Sequence, residues 1–209
     1  MSLILMYIQN MIGYIIVALP FYVVGRIILL KKRQKQIMVM NEILMLIFVL
    51  YLVGLASQTI IPRWDIGIVS DTGEFFFNVH LANEISQVNL IPFHTLYQYI
   101  FETNTNVDSW NSVSLLNISA NLLLFSPLGF LVPLIWKRWD SFKKVILLGL
   151  IVTLFVEIIQ MFIGRSTDID DVILNTLGII IGYGIFLLFN LTLLKLIHKK
   201  IPQNRVLSE

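Results

Sequence analysis

The segment VEIIQMFIGRSTDIDDVILNTLGIIIGYG, residues 156–184, places a group of polar side chains between two apolar runs. Each run is long enough to form most of a membrane span. An ionisable side chain is costly inside a membrane unless it faces water, pairs or takes up a proton, and such residues are functional candidates. The segment therefore predicts two spanning helices joined by a polar turn that carries function. The polar residues are Glu157, Gln160, Arg165, Asp168, Asp170, Asp171 and Asn175.

The composition of the whole chain predicts a polytopic membrane protein. Of its 209 residues, 57% are hydrophobic and 13% charged, whereas globular domains carry about 25% charged residues. The chain has no cysteine, which excludes disulfides, thiolate metal ligands and a cysteine nucleophile. A spanning helix needs about 20 apolar residues. Five windows meet this need, so we expect an all-α transmembrane bundle with spans at residues 4–30, 43–61, 116–136, 145–163 and 172–194.

Basic residues lie in alternate connections, which predicts the orientation of the chain, since Lys and Arg are enriched on the cytoplasmic side. Only Arg63 and Arg165 fall in the connections 63–115 and 164–171. We therefore expect these two connections and the N-terminus to lie outside the cell, and the C-terminus to lie in the cytoplasm. Topology and anionic lipid explain the basic segments, so no nucleic acid is expected as a partner. The remaining basic residues are Arg26, Lys31, Lys32, Arg33, Lys35, Lys137, Arg138, Lys143, Lys144, Lys195, Lys199, Lys200 and Arg205.

The long outer connection, residues 63–115, is expected to have a role or structure of its own. Its segment PFHTLYQYIFE (92–102) repeats apolar residues at helical spacing. This pattern predicts either an interfacial helix, with its aromatic side among lipid headgroups, or a loop helix packed on the bundle. The segment DTGEFFF (71–77) is expected to form a turn followed by an interfacial aromatic anchor.

Polar residues of separate spans are predicted to meet at the outer side. Glu157 and Gln160 share a helix face, and Glu157 lies roughly 12 Å below Arg165 along the helix. Asn121 begins the third span, where Pro127 is expected to free the carbonyl of Leu123. The second span ends in Ser57, Gln58 and Thr59. We therefore expect one hydrated polar pocket in the outer leaflet.

The turn GRSTDIDD (164–171) predicts a helix end and a helix start. Gly164 is expected to end the fourth helix, and one of the three aspartates to cap the fifth. The other two carboxylates are left to pair with Arg165 or, together with the first, to hold Mg²⁺ or Ca²⁺ through oxygen ligands. The small residues Gly178 and Gly182 are expected to let a neighbouring helix approach closely.

Four ordered blocks of the chain resemble the VanZ-like family. They are QTIIPR (58–63), NLIPF (89–93), the pattern N-x3-F-x-P-x-G-x3-P (121–133), and E-x2-Q-x4-R-x2-D-x-DD-x3-N-x2-G-x3-G (157–182). The resemblance implies a small protein of the bacterial cell membrane that gives low-level resistance to teicoplanin, a lipid-tailed glycopeptide, without changing the peptidoglycan target peptide. It divides the chain into an extra N-terminal helix with a basic loop (1–36), a VanZ-like domain (37–198) and a cytoplasmic tail (199–209).

Two functional hypotheses follow. In the first, the pocket binds or remodels a lipid-anchored envelope molecule or lipoglycopeptide beside membrane lipid. In the second, the protein is an intramembrane enzyme with Glu157 as general base and a divalent metal site at Asp168, Asp170 and Asp171. A transporter and a purely structural helix bundle are less favoured functions. The sequence is compatible with a homo-oligomer. The expected ligand-binding residues are Asn121, Gln160, Arg165, Asp168, Asp171 and Asn175.

Overall fold

A computed structural model describes residues 3–33, 38–80, 88–102 and 110–200 of the chain, and the predicted tail beyond residue 200 lies outside these ranges. Five long helices, all long and apolar enough to cross a membrane, confirm the predicted all-α bundle. The described helices are α1 (Leu3–Arg33), α2 (Val39–Thr59), the short α3 (His94–Phe101), α4 (Trp110–Ile135), α5 (Phe142–Phe162) and α6 (Ile169–Lys200).

Helices α4 and α6 form the centre of the bundle because their backbones touch at glycines. A Cβ atom on Gly182 would lie 1.8 Å from the carbonyl oxygen of Ser126, and one on Gly129 would lie 1.9 Å from that of Ile179. Only a residue without a side chain permits this approach. Phe125 of α4 and Ile179 of α6 are fully buried beside these contacts, so the predicted role of the small residues is confirmed.

Pro127 lies inside α4, as predicted, and the helix continues through it. A proline removes one backbone donor and leaves the carbonyl four residues earlier without its helical partner. That carbonyl belongs to Leu123, and the hydroxyl of Ser126 donates to it at 3.2 Å. A local side chain therefore supplies the partner that the sequence analysis required.

The N-terminal helix α1 packs on α2 at the margin of the bundle. Near one end, the Arg26 guanidinium donates two hydrogen bonds to the Glu42 carboxylate, at 2.6 and 2.8 Å. Further along, Met11 of α1 lies over Gly54 of α2. Many apolar side chains of α1 are exposed, which suits a helix that faces lipid.

The connection between α2 and α4 contains a β-hairpin that the sequence analysis missed. Strand β1 (Arg63–Ile68) pairs antiparallel with β2 (Phe75–His80), where an aromatic anchor after a turn was expected. Gly73 adopts φ +68° in the turn, a conformation that glycine accepts at little cost. Two further short strands, β3 (Val88–Asn89) and β4 (Thr167–Asp168), pair in parallel and join the connection to the α5–α6 turn.

The predicted loop helix within residues 92–102 is confirmed as α3. Its location at the membrane interface stays a prediction. We use the term loop end for the end of the bundle that carries the β1–β2 hairpin, α3 and the α5–α6 turn. The candidate site lies at this end.

Candidate functional site

Glu157 anchors the site from α5, where its side chain is only 3% exposed. Its Oε2 accepts a hydrogen bond from the backbone N–H of Asp168 at 3.0 Å. The residues between them turn sharply, because Gly164 has φ +75° and Arg165 N–H donates to the Gln160 carbonyl at 2.9 Å. This is the glycine-ended helix predicted for α5. The buried carboxylate is thus tied to the residue that immediately precedes α6.

Asp168 is the carboxylate that caps α6. Its Oδ1 accepts the N–H of Asp170 at 2.9 Å, the interaction expected of an N-cap residue. The same side chain accepts hydrogen bonds from the Asn89 amide at 3.3 and 3.4 Å and from the Thr95 hydroxyl. Asp168 therefore joins α6, β3 and α3 at one point.

Asp170 caps a different helix from the one on which it lies. Its side chain is 1% exposed, and its two oxygens accept the N–H groups of Phe93 at 2.5 Å and Leu96 at 3.0 Å. Phe93 is the N-cap residue of α3 and offers no side-chain acceptor. The Asp170 carboxylate fills this role from α6, at the helix end where the dipole favours negative charge.

Asp171 faces α4, where its Oδ1 accepts a hydrogen bond from the Asn121 amide at 2.7 Å. Tyr99 of α3 lies nearby, and its hydroxyl accepts from the Asn117 amide at 3.3 Å. Burial raises the pKa of the Tyr99 phenol, and the charges of Asp171 and Asp168 raise it further against the opposing Asn117 bond. Tyr99 therefore remains a protonated donor beside two carboxylates.

Asn175 lies one turn below Asp171 on α6, and its side chain is 3% exposed. Its Oδ1 is a buried acceptor without a hydrogen-bond partner, one of two such atoms among the described side chains. A buried polar atom left without a partner costs about 1–3 kcal/mol. The atom therefore marks a position where a donor from outside the chain would be stabilising.

Gln160 and Arg165 serve the end of α2. The Gln160 amide donates to the Thr59 carbonyl at 3.1 Å. The Arg165 guanidinium donates to the carbonyls of Gln58 at 2.6 Å and Thr59 at 3.1 Å. A cation at a helix C-terminus is favourable because it meets unpaired carbonyls and the negative end of the dipole. Both predicted ligand-binding residues therefore have a structural role at the loop end.

The three aspartates point to three different partners: Asp168 to α6 and Thr95, Asp170 to α3, and Asp171 to Asn121. Within the described residues, no group of three or more His, Asp or Glu side chains is arranged to hold a metal ion. Each carboxylate already accepts an N–H or amide donor. The Mg²⁺ or Ca²⁺ hypothesis gains no support from this geometry and stays a prediction.

The structure adds Asn89, Thr95 and Tyr99 to the residues expected at the site. Thr95 and Tyr99 are four residues apart on α3, so they share one face, and this polar face lies opposite the exposed Phe93, Tyr97 and Phe101. The helical spacing in residues 92–102 contained this signal. From this spacing only the apolar face of the helix was predicted.

Most of the predicted polar residues therefore meet at the loop end, in an arrangement rich in hydrogen-bond acceptors. We call Glu157, Asp168, Asp171 and Asn175 the acceptor cluster. The charges of Asp168 and Asp171 act on Glu157, and so does the charge of Arg165. At the edge of the cluster, the Asn121 amide donates to Asp171 and the Asn117 amide donates to the Tyr99 hydroxyl.

Comparison with known proteins identifies the family of this chain. A family model described as VanZ/LLP1 matches residues 43–190, which is more than half of the chain and includes every member of the acceptor cluster. Helix α1 lies outside the matched residues. No curated protein and no solved structure gives a significant match. Together with the five apolar helices, the match identifies a multi-pass membrane protein. The chain belongs to the VanZ/LLP1 family.

Proposed function

We propose that this protein binds the polar head of a lipid-anchored molecule at the loop end while the lipid tail of that molecule stays in the bilayer. The observation that carries the proposal is the acceptor cluster at one end of an otherwise apolar bundle. Glu157 and Asn175 are each 3% exposed, and Asn175 Oδ1 lacks a donor. A bound head that donates hydrogen bonds would satisfy this atom and reduce the repulsion among the neighbouring carboxylates.

The chemistry of the cluster favours one class of ligand. Carboxylate and amide oxygens accept hydrogen bonds, so they suit hydroxyl, amide N–H or ammonium groups. A phosphate would meet like charge from Glu157, Asp168 and Asp171. Arg165, whose charge acts on Glu157 and Asp171, donates to the end of α2. We therefore propose a sugar- or peptide-rich head rather than an anionic one.

We further propose that the loop end faces the outside of a bacterial cell. The basic residues predicted to be cytoplasmic lie in the opposite connections and the C-terminal segment, as positive charges do on cytoplasmic sides. A lipid-tailed glycopeptide such as teicoplanin would then reach the acceptor cluster from the outer leaflet. Its sugar hydroxyls, amides and amine belong to the favoured class. Binding there would give the low-level resistance that membership of the family suggests.

The enzymatic alternative places Glu157 as a general base. Its Oε2 accepts the Asp168 N–H, so this oxygen already holds the α5–α6 turn in place. A general base must reach the proton that it removes, and a structural bond to the same carboxylate opposes that role. Turnover of a lipid-linked substrate by purified protein, lost in Glu157→Gln, would distinguish catalysis from binding.

A resistance assay tests the proposal in cells. Asp171→Asn removes the charge but keeps an oxygen that can accept from Asn121. In a teicoplanin-susceptible bacterium, expression of the wild-type chain should raise the inhibitory concentration of teicoplanin, and Asp171→Asn should remove at least half of that rise on a logarithmic scale. The control Asp71→Asn changes an exposed carboxylate of the hairpin turn and should match the wild type.

A glycopeptide without a lipid tail separates this mechanism from a general change of the cell wall. Its inhibitory concentration should stay constant in all strains, because the proposed ligand reaches the site through its tail. Equal teicoplanin resistance in the wild type and Asp171→Asn, at equal amounts of membrane protein, would contradict the proposal.

A further inference from the structure

The β1–β2 hairpin has one exposed apolar face. Successive residues of a strand point to opposite faces, so Phe75, Phe77 and Val79 share one face of β2. Ile68 of β1 is the cross-strand partner of Phe75 and lies on the same face. These four side chains are 46–68% exposed. The hairpin is therefore apolar on one side along the length of β2.

The opposite face of the hairpin has a different character. The ring of Phe76 lies over Gly67, where an added Cβ would come within 2.7 Å of the ring. Asn78 is the neighbouring residue of β2 on that face, and its side chain is exposed. The hairpin thus alternates between an apolar side and a side that carries a polar group and an internally packed ring.

Within the described residues, the strands of the hairpin contact each other and make no extensive contact with a helix. The apolar face is therefore not part of the core of the bundle. An exposed apolar patch of this kind indicates a surface that meets a membrane or another protein.

The chain path keeps the hairpin close to the membrane. Helix α2 is apolar and long enough to span, and it ends at Thr59, four residues before β1 begins at Arg63. A connection of this length reaches about 14 Å at most. The interfacial layer beyond the hydrocarbon core is roughly 5–8 Å thick on each side. The hairpin therefore begins within or just beside the headgroup layer.

A second apolar surface lies at the same end of the bundle. Phe93, Tyr97 and Phe101 lie along one side of α3 and are all exposed, while its polar face meets Asp168. Two separate segments at the loop end therefore present aromatic side chains outward. Tyr is enriched at membrane–water interfaces, and Phe is typical of the apolar face of interfacial segments, so both surfaces suit the edge of a bilayer.

We propose that the apolar face of the β1–β2 hairpin lies in the lipid bilayer, at the boundary between headgroups and acyl chains. The face of Ile68, Phe75, Phe77 and Val79 contacts acyl chains, and the face of Asn78 points to water. The hairpin thereby binds a lipid surface through alternate residues of β2 together with Ile68 of β1. This inference is independent of the ligand proposed for the acceptor cluster.

The absence of native cysteine allows single nitroxide labels to test the alternation. Phe77→Cys and Asn78→Cys place labels on adjacent residues of β2 with opposite faces, each in the full chain reconstituted into phosphatidylcholine nanodiscs. We expect the label at 77 to collide more often with oxygen, which concentrates in lipid, than with a water-soluble nickel chelate. The label at 78 should show the reverse ratio, with at least a threefold difference between the two positions.

Phe75→Cys repeats the test on the same apolar face, so the result does not depend on the folding of one variant. Equal access of the nickel chelate at 75, 77 and 78 would overturn the proposal, because the hairpin would then lie in water. Spin–spin broadening at 77 that disappears on dilution with unlabelled protein would also overturn it, since a second copy of the chain would then cover the face.

Discussion

Gly182→Ala is expected to prevent the normal assembly of α4 with α6. The new Cβ would lie 1.8 Å from the carbonyl oxygen of Ser126 and 2.7 Å from its carbonyl carbon. These are backbone atoms, so no rotamer change can relieve the clash and the two helices must separate. Overpacking costs about 1–3 kcal/mol where side chains can adjust. We expect a larger loss here, measured as the free energy of unfolding in detergent.

Gly184→Ala provides the matched control for this prediction. It lies two residues further along α6, and no heavy atom outside the adjacent backbone of α6 lies within 4 Å of the position that its Cβ would take. Alanine is about 1 kcal/mol better than glycine within a helix, so this variant should be as stable as the wild type or slightly more stable. If Gly182→Ala has the same free energy of unfolding as Gly184→Ala, the backbones of α4 and α6 do not touch at Gly182.

Asp170→Ala is expected to release α3 from the loop end. The substitution removes both acceptors of the Phe93 and Leu96 N–H groups, and α3 has no cap of its own. Hydrogen bonds to charged groups contribute about 1.5–3 kcal/mol each. The local stability of α3 should therefore fall by at least about 3 kcal/mol, which corresponds to faster amide exchange by a factor of about 100 or more.

Hydrogen exchange of a peptide covering residues 90–101 measures this effect directly. Asp170→Asn keeps one acceptor oxygen and should give an intermediate rate. Glu102→Gln changes an exposed carboxylate at the other end of α3 and should leave the exchange unchanged. Wild-type exchange rates in Asp170→Ala would show that α3 is held by other contacts.

Hydropathy was sufficient to predict the spans, because a stretch of about 20 apolar residues has few stable structures other than a membrane-spanning helix. All five predicted windows correspond to described helices. The hairpin was missed for a local reason. The run FFF at 75–77 interrupts the apolar–polar alternation that would indicate β2. Gly67 is typical of a loop, and its place in a strand depends on the pairing with Phe76.

The sequence indicated which polar residues lie at the loop end but not which partners they have, and their role in binding stays a prediction. Glu157, Asp168, Asp171 and Asn175 could be selected because polar residues are rare in spans. The capping of α3 by Asp170 could not be predicted, since the two elements are more than 70 residues apart in the chain. Such a pairing depends on the three-dimensional packing of α3 against α6.

The roles of Arg165 and Gln160 were unpredictable for a related reason. A guanidinium suits a ligand phosphate and the carbonyl end of a helix equally well. Only the position of α2 places the carbonyls of Gln58 and Thr59 within reach. The division of the chain at residues 36 and 198 stays a prediction, although α1 falls outside the family match.

Direct titration of teicoplanin into purified protein in nanodiscs tests the central claim, that the acceptor cluster binds a donor-rich head. Asp171→Asn should bind about tenfold more weakly than the wild type, since a bond to a charged group contributes about 1.5–3 kcal/mol and 1.4 kcal/mol corresponds to tenfold in affinity. Asp71→Asn should bind like the wild type. The same dissociation constant for all three proteins would contradict binding of the head at the acceptor cluster.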